Sequence, residues 1–168
     1  MSTDVKGACW TVLESPIGDL RIIARDGAIS AIEFAPFRAD RSGRPLGERD
    51  DTDPVLMAAR TQLAEYFNRE RREFDLPLDP HGSDFQRSVW AQLLKIGYGD
   101  TASYGEIAKR LGKTNAASRA VGLANGSNPI PIVIPCHRVI GADGSLTGYA
   151  GGLNRKQTLL EIEQDALF

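Results

Sequence analysis

Residues 103–139 have the sequence SYGEIAKRLGKTNAASRAVGLANGSNPIPIVIPCHRV, and this stretch decides how the second half of the chain folds. Ser103 followed by Glu106 is a capping box, which predicts that a helix begins here, and Gly112 predicts where it ends. After the short link GKTN, a second helix is predicted from Thr114 or Asn115 onward. Two short helices joined in this way are typical of a helix-turn-helix, a motif that places its second helix against DNA.

The second of these helices has one apolar face and an arginine on the opposite side. Ala117, Val121 and Ala124 share a face. Arg119 lies about 160° from Val121, at ~100° per residue, so it is predicted to point away from the core. Residues 104–138 carry a net charge of +4, although the whole chain carries −2. Local positive charge favours a polyanionic partner, and an ordinary solvated face is the alternative.

A thiol stands beside an imidazole at the end of an apolar, β-branched run. Residues 132–134 are predicted to form a short buried strand, and Cys136 and His137 follow it. A cysteine attacks as its thiolate, which a nearby base can generate. Because neighbours in a strand point opposite ways, His137 reaches Cys136 only through a bend in the backbone or through a water. The carboxylate that orients such a histidine is Glu161 or Glu163. On residue type alone, a buried structural cysteine is the favoured alternative.

The first half of the chain is predicted to be a small antiparallel sheet followed by a helix. Strands are predicted at residues 10–14, 19–25 and 28–34, with an Asp-Gly hairpin turn before the last of them. Residues 36–53 have many charges and no periodicity, which predicts a loop. Asp53 then serves as an N-cap with Pro54 at the first helical position.

A boundary between two domains is predicted near residues 79–83. Immediately after it, Ser83 and Gln86 form a second capping box. The helix that follows is predicted to bury Phe85, Val89, Trp90, Leu93 and Leu94. The predicted fold class is α/β, in the α+β sense, with an N-terminal α/β support domain, 1–80, and a largely helical C-terminal domain, 81–168, that carries the helix-turn-helix and the Cys-His segment.

Composition excludes several other kinds of protein. The chain has 168 residues, 42% of them hydrophobic and 25% charged, which is typical of a globular protein. No apolar run approaches the roughly 20 residues that span a bilayer, and the first residues do not resemble a signal peptide, so a cytoplasmic location is expected. The two cysteines, Cys9 and Cys136, predict neither a disulfide framework nor a metal-ligand spacing, and His81 and His137 lie far apart in different contexts, so no metal site is expected.

Three segments together are similar to a known family. These are SRAVGLANGS (118–127), NPIPIVIPCHRVIG (128–141) and LTGYAGGLNRKQTLLEIE (146–163). The chain resembles the O6-alkylguanine-DNA alkyltransferases, strongly in its C-terminal half and in outline in its N-terminal half. The resemblance implies a winged-helix-like DNA-binding domain and a suicidal repair protein. Such a protein moves an alkyl group from O6 of guanine, and in some cases O4 of thymine, to its own cysteine once, without a cofactor.

The resemblance also implies roles for residues around the thiol. Cys136 is expected to be the nucleophile, His137 the base acting through a bridging water, and Glu163 the group that polarises His137. Asn128 is expected to be the hinge between the recognition helix and the active-site strand. Tyr104 is expected to donate a hydrogen bond to N3 of guanine. The remaining pocket residues are expected to be Pro131, Val139, Tyr149 and Ala150, the last of which is serine in many relatives.

The expected partner is double-stranded DNA that contains O6-alkylguanine. Arg119 would enter the duplex and fill the gap left by the flipped base. The small residues Ala117 and Ala120 would allow close approach to the minor groove, and Lys109 and Lys113 would contact phosphates. A monomer is expected, with cooperative assembly on DNA left open, and no membrane partner.

Three alternatives are weighed against this function. An alkyltransferase-like protein binds lesions but has another residue in place of the reactive cysteine. A helix-turn-helix regulator would not need the PCHRV segment at residues 135–139. A Cys-His-Glu hydrolase would turn over, whereas a thioether would not.

Overall fold

A computed structural model describes residues 7–37 and 45–165 of the chain. Residues up to Pro80 form one compact unit, and residues from His81 onward form a second. Among the described residues, none of the helices combines the length and the apolar character that crossing a membrane requires.

The first unit is a four-stranded sheet with one helix. Its strands are β1 (Ala8–Leu13), β2 (Leu20–Arg25), β3 (Ala28–Phe34) and β4 (Glu48–Arg49). The sheet order is β3-β2-β1-β4, in which β1, β2 and β3 are antiparallel neighbours and β4 runs parallel to β1. The three predicted strands are confirmed. Asp26 and Gly27 both have positive φ, at 50° and 83°, as the predicted Asp-Gly hairpin turn requires.

Part of the predicted loop at residues 36–53 is in fact a strand. Cys9 and Trp10 of β1 pair with Glu48 and Arg49 of β4. The Arg49 guanidinium lies 5.7 Å from the centre of the Trp10 ring, which helps to hold this two-residue edge strand in place. A strand this short has no periodicity to detect, which is why the sequence did not predict it. Residues 38–44 of the loop lie outside the described residues.

Helix α1 (Pro54–Phe67) begins as the sequence predicts. The Asp53 carboxylate accepts a hydrogen bond from the Leu56 amide at 3.0 Å, and Pro54 occupies the first turn. The helix buries Leu56, Ala59, Leu63, Tyr66 and Phe67. Each fully buried leucine of this kind contributes about 1.5–3 kcal/mol to the stability of the fold.

The second unit is mainly helical. Its elements are α2 (Asp84–Leu93), β5 (Ala102–Ser103), α3 (Tyr104–Arg110), α4 (Ser118–Gly126), β6 (Val139–Ile140) and α5 (Leu153–Asp165). The capping boxes at Ser83 and Ser103 are both formed. Leu94, the residue that caps the C-terminal end of α2, is half exposed rather than buried as predicted.

The predicted helix pair is α3 and α4. A 3₁₀ turn at Asn115–Ala117 leads into α4, which buries Val121, Ala124 and Asn125. The indole nitrogen of Trp90 on α2 donates a hydrogen bond of 2.8 Å to the Ala124 carbonyl. This bond fixes α4 against the core, and Arg119 is left exposed as predicted.

Candidate active site and DNA-facing helix

The backbone before the thiol is a tight turn, so the predicted strand at residues 132–134 is wrong. The Ile134 amide donates to the Ile130 carbonyl at 2.9 Å, and Ile132 has a φ of 75°. Positive φ is rare for a β-branched residue and stores strain, which only a tightly held segment tolerates. Prolines at 131 and 135 lack the amide hydrogens that a strand would use.

The thiol and the imidazole lie in a 3₁₀ turn at Cys136–Arg138 rather than in a strand. The Arg138 amide donates to the Pro135 carbonyl at 3.0 Å and closes the turn. Strand alternation therefore does not separate Cys136 from His137. The backbone bends at this turn. A bend was one of the two ways, besides a bridging water, in which the sequence analysis expected His137 to reach Cys136.

Cys136 is buried, and its thiol is protonated at neutral pH. Cys136 is 5% exposed, and burial raises the pKa of its thiol to about 11. The Asn128 side chain, the positive charge of Lys156 and the Tyr149 hydroxyl all act in the opposite direction, but they do not outweigh burial. The resting protein therefore holds an unreactive thiol, and forming the thiolate requires a base.

A candidate for that base lies in a buried cluster of three side chains. His137 Nε2 lies 2.7 Å from Glu163 Oε2, and Arg138 donates to both Glu163 oxygens at 2.9 and 3.0 Å. Burial alone raises the pKa of the Glu163 carboxyl, but hydrogen bonds from His137 and Arg138 and the positive charge of Arg138 lower it to about 2. Burial lowers the pKa of His137, so the ring is neutral.

The cluster fixes which nitrogen of His137 carries the proton. Because a carboxylate only accepts hydrogen bonds, Nε2 is the donor to Glu163 and Nδ1 carries a free lone pair. Nδ1 is buried and has no hydrogen-bond partner among the described residues. A group in this state can accept a proton, and the ionised Glu163 would then stabilise the imidazolium. Glu161, the other candidate from the sequence, is exposed and bonds to Gln157 instead.

Two asparagines connect α4 to the reactive turn. The Asn128 side chain donates to the Ile134 carbonyl at 2.8 Å and accepts from the Ile130 amide at 3.0 Å, and its role as a hinge stays a prediction. Asn125 was not predicted from the sequence. Its amide donates to the Cys136 carbonyl at 3.3 Å. The one available signal was a polar side chain on the otherwise apolar face of the second helix.

Lys156 and Arg138 are the other site residues that the sequence analysis missed. Lys156 is fully buried on α5, and its ammonium group donates to the Val139 carbonyl at 2.6 Å and to the Thr147 carbonyl at 3.1 Å. It therefore ties the segment that carries Tyr149 to β6. Burial lowers the pKa of Lys156, while a charge on Cys136 would raise it. The sequence pattern of α5 alone does not identify a buried lysine.

The predicted pocket residues differ in how the structure places them. Pro131 and Val139 are buried, and Ala150 is exposed. The Tyr149 hydroxyl interacts with Cys136, and burial raises its pKa well above the ordinary value. The Tyr104 hydroxyl contacts Thr147 Oγ1. The Tyr104 ring packs against Gly122 of α4, where an added β-carbon would lie 3.6 Å from the ring.

The predicted DNA contacts lie on or beside α4. Arg119 and Ala120 are exposed, and Ala117 is partly exposed. Lys109 and Lys113 are exposed too, and the Lys113 ammonium lies 5.8 Å from the centre of the Phe85 ring.

Two domain families match nearly the whole of the chain. Residues 84–165 match the family described as 6-O-methylguanine DNA methyltransferase, DNA binding domain. Residues 8–80 match the family described as 6-O-methylguanine DNA methyltransferase, ribonuclease-like domain.

Whole-chain relatives agree with these matches. A methylated-DNA–protein-cysteine methyltransferase of Mycolicibacterium paratuberculosis is 51% identical over 92% of both chains. One of Methanosarcina acetivorans is 44% identical over 92% of this chain and 97% of its own. The crystal structure of Mycobacterium tuberculosis OGT in complex with DNA superposes with a TM-score of 0.84 at 46% identity, over 94% of each chain. The chain therefore belongs to the O6-alkylguanine-DNA alkyltransferase family.

Proposed function

We propose that this protein repairs DNA by moving an alkyl group, in the first place methyl, from O6 of guanine in duplex DNA to Cys136. The transfer is direct, stoichiometric and irreversible, and O4 of thymine is a second candidate alkyl donor. Whole-length relatives named methylated-DNA–protein-cysteine methyltransferase support this activity, as does a similar protein solved with DNA. The observation that carries the proposal is a buried thiol followed, in the same 3₁₀ turn, by a neutral imidazole whose Nε2 is held by an ionised carboxylate.

The chemistry begins with proton transfer from Cys136. His137 Nδ1 takes the thiol proton through a bridging water, and Glu163 stabilises the resulting imidazolium. The sulfur attacks the alkyl carbon, so the S–C bond forms as the C–O6 bond breaks. The electron pair of that bond leaves with the guanine. Tyr104 donates a hydrogen bond to guanine N3, which requires its hydroxyl to exchange its contact with Thr147 for the base.

One turnover follows from the product. A thioether has no proton to lose and is a poor leaving group, so no group in the site regenerates the thiol. This distinguishes the proposal from a hydrolase. The presence of Cys136 itself distinguishes it from an alkyltransferase-like protein that only binds lesions. No cofactor takes part in these steps.

DNA binds the exposed face of helix α4 in the second unit. Residues 81–168 form the DNA-binding and catalytic domain, and residues 1–80 support it. Lys109 and Lys113 contact phosphates, and the small side chains of Ala117 and Ala120 allow α4 to approach the minor groove. The protein acts as a cytoplasmic monomer on its DNA substrate.

Arg119→Ala is expected to slow repair of duplex DNA far more than reaction with free O6-benzylguanine. Flipping a base costs a few kcal/mol, and a side chain that fills the vacated space offsets part of this. We expect the ratio of duplex rate to free-base rate to fall roughly 30-fold. Single-turnover kinetics on both substrates measure this ratio.

Arg110→Ala is the matched control, since it removes one exposed positive charge from the neighbouring helix α3. The rate of Arg110→Ala on duplex DNA should fall only slightly, because at most one phosphate contact is lost. Equal falls on the duplex and on the free base for Arg119→Ala would refute the role of that side chain in base flipping.

A further inference from the structure

Helix α4 presents two large side chains on its outward face, and the proposed function uses only one of them. Leu123 is 69% exposed, against 50% for Leu94 and 48% for Leu153. At ~100° per residue, Leu123 lies about 40° from Arg119 around the helix axis and one turn along it. The buried residues Val121 and Asn125 each lie about 160° from Leu123 around the helix axis. Leu123 therefore projects in nearly the same direction as Arg119.

The residues around these two side chains are small. Ala120 and Gly126 are exposed, and a β-carbon added at Gly126 would meet nothing within 4 Å. Gly122, next to Leu123, lies against the Tyr104 ring. Helix α4 can therefore approach a flat or grooved partner closely, with two projecting side chains next to the residue expected to bind the flipped guanine.

We propose that Leu123 is a second side chain that enters the minor groove, where it packs against sugars and base edges one helical turn from Arg119. This proposal rests on the proposed function. Proteins that open or bend DNA from the minor groove commonly insert apolar side chains there. Residues four apart on a helix lie about 5–6 Å from each other, so both side chains enter the same stretch of groove. Arg119 fills the vacated stack, and Leu123 supports the distorted pairs beside it.

Duplex DNA is the partner that the surroundings favour. Leu123 lies within residues 104–138, which carry a net charge of +4. A similar protein, 46% identical, has been solved with DNA. A second copy of this chain would bring two such positively charged segments together, which disfavours self-association through this face.

The test compares Leu123→Ala with Leu94→Ala, which truncates a half-exposed leucine of the same unit outside α4. Single-turnover rates are measured at subsaturating protein on three substrates: O6-methylguanine in duplex DNA, the same strand unpaired, and free O6-benzylguanine. Removing a leucine side chain that becomes buried on binding is expected to lower the ratio of duplex rate to free-base rate about tenfold. The loss on the single strand should be smaller, because no neighbouring pairs need support. Leu94→Ala should match the unmodified protein on all three substrates.

Two further measurements, the salt dependence of DNA binding and the oligomeric state, complete the test. The dependence of duplex binding on salt should keep its slope in Leu123→Ala, because no positive charge is lost, whereas Arg119→Ala removes a positive charge from the bound face and should reduce the slope. The proposal is overturned if Leu123→Ala keeps the normal duplex-to-free-base ratio. It is also overturned if sedimentation shows that Leu123 holds two copies together and that its loss changes only their association. Failure of the unmodified protein to react with free O6-benzylguanine and with DNA would instead refute the proposed function.

Discussion

Cys136→Ser is expected to abolish alkyl transfer while leaving the fold and lesion binding in place. A serine hydroxyl is a much weaker nucleophile than a thiolate, and His137 and Glu163 are unchanged. The side chain is nearly isosteric, so the 3₁₀ turn at Cys136–Arg138 should persist. The measurement is the amount of O6-methylguanine left in a duplex after incubation with excess protein, together with binding of that duplex by fluorescence anisotropy.

Cys9→Ser is the matched control for this variant. Cys9 lies in β1 of the first unit and is the only other cysteine in the sequence. Its replacement should leave transfer at the normal rate. Transfer that survives in Cys136→Ser, or is lost in Cys9→Ser, would place the acceptor elsewhere.

Glu163→Gln is expected to have the second largest effect, on both stability and rate. The change leaves the buried Arg138 guanidinium without the carboxylate that it binds through two nitrogens. Removing one partner of a buried ion pair costs about 3–5 kcal/mol. The transfer rate should fall by at least about a hundredfold, because the amide does not stabilise an imidazolium at His137. Urea unfolding and single-turnover kinetics measure the two effects.

The pH dependence of stability separates the ion pair from a simple packing defect. The pKa of Glu163 is lowered in the folded state, from 4.5 to about 2. Its contribution to stability is therefore fully present above pH 4.5 and is lost as the pH falls toward 2. The unmodified protein should lose more unfolding free energy over that window than Glu163→Gln does.

Glu161→Gln is the control for Glu163→Gln, since Glu161 is exposed on the same helix. It should keep normal stability and rate. Parallel acid-side stability curves for the unmodified protein and Glu163→Gln would contradict the ionised state assigned to Glu163. A normal transfer rate in Glu163→Gln would contradict its role behind His137.

The sequence predicted the parts of the fold that depend on local signals. Residue spacing predicted the capping boxes at Ser83 and Ser103, and both are formed in the structure. Spacing also predicted that Arg119 points outward, and it is exposed. The β-hairpin at Asp26 likewise follows from two adjacent residues. Such features involve neighbours in the chain, so their energetics can be judged without knowing the tertiary structure.

The sequence was misleading where tertiary contacts overrule local preference. The β-branched run before Pro135 is typical of a strand, but hydrogen bonds from Asn128 hold it in a turn with Ile132 at positive φ. Lys156 looks like a surface residue of a polar helix, and only its contacts with two backbone carbonyls reveal why it is buried.

Resemblance supplied most of the roles assigned to the site, and the geometry adds to them. Residue type alone favoured a structural cysteine at position 136. The structure places an open imidazole nitrogen, an ionised carboxylate and an arginine together in the same buried region. Arg138 was unassigned by the sequence analysis, although it is the group that holds Glu163 in place.

The most direct test of the central claim is the intact mass of the protein after incubation with an excess of duplex DNA containing O6-methylguanine, followed by peptide mapping. We predict a gain of one methyl group per chain, located on Cys136, with Cys9 unmodified and no further gain however long the incubation lasts. An unchanged mass while O6-methylguanine disappears over many turnovers, or a methyl group on any other residue, would contradict the account.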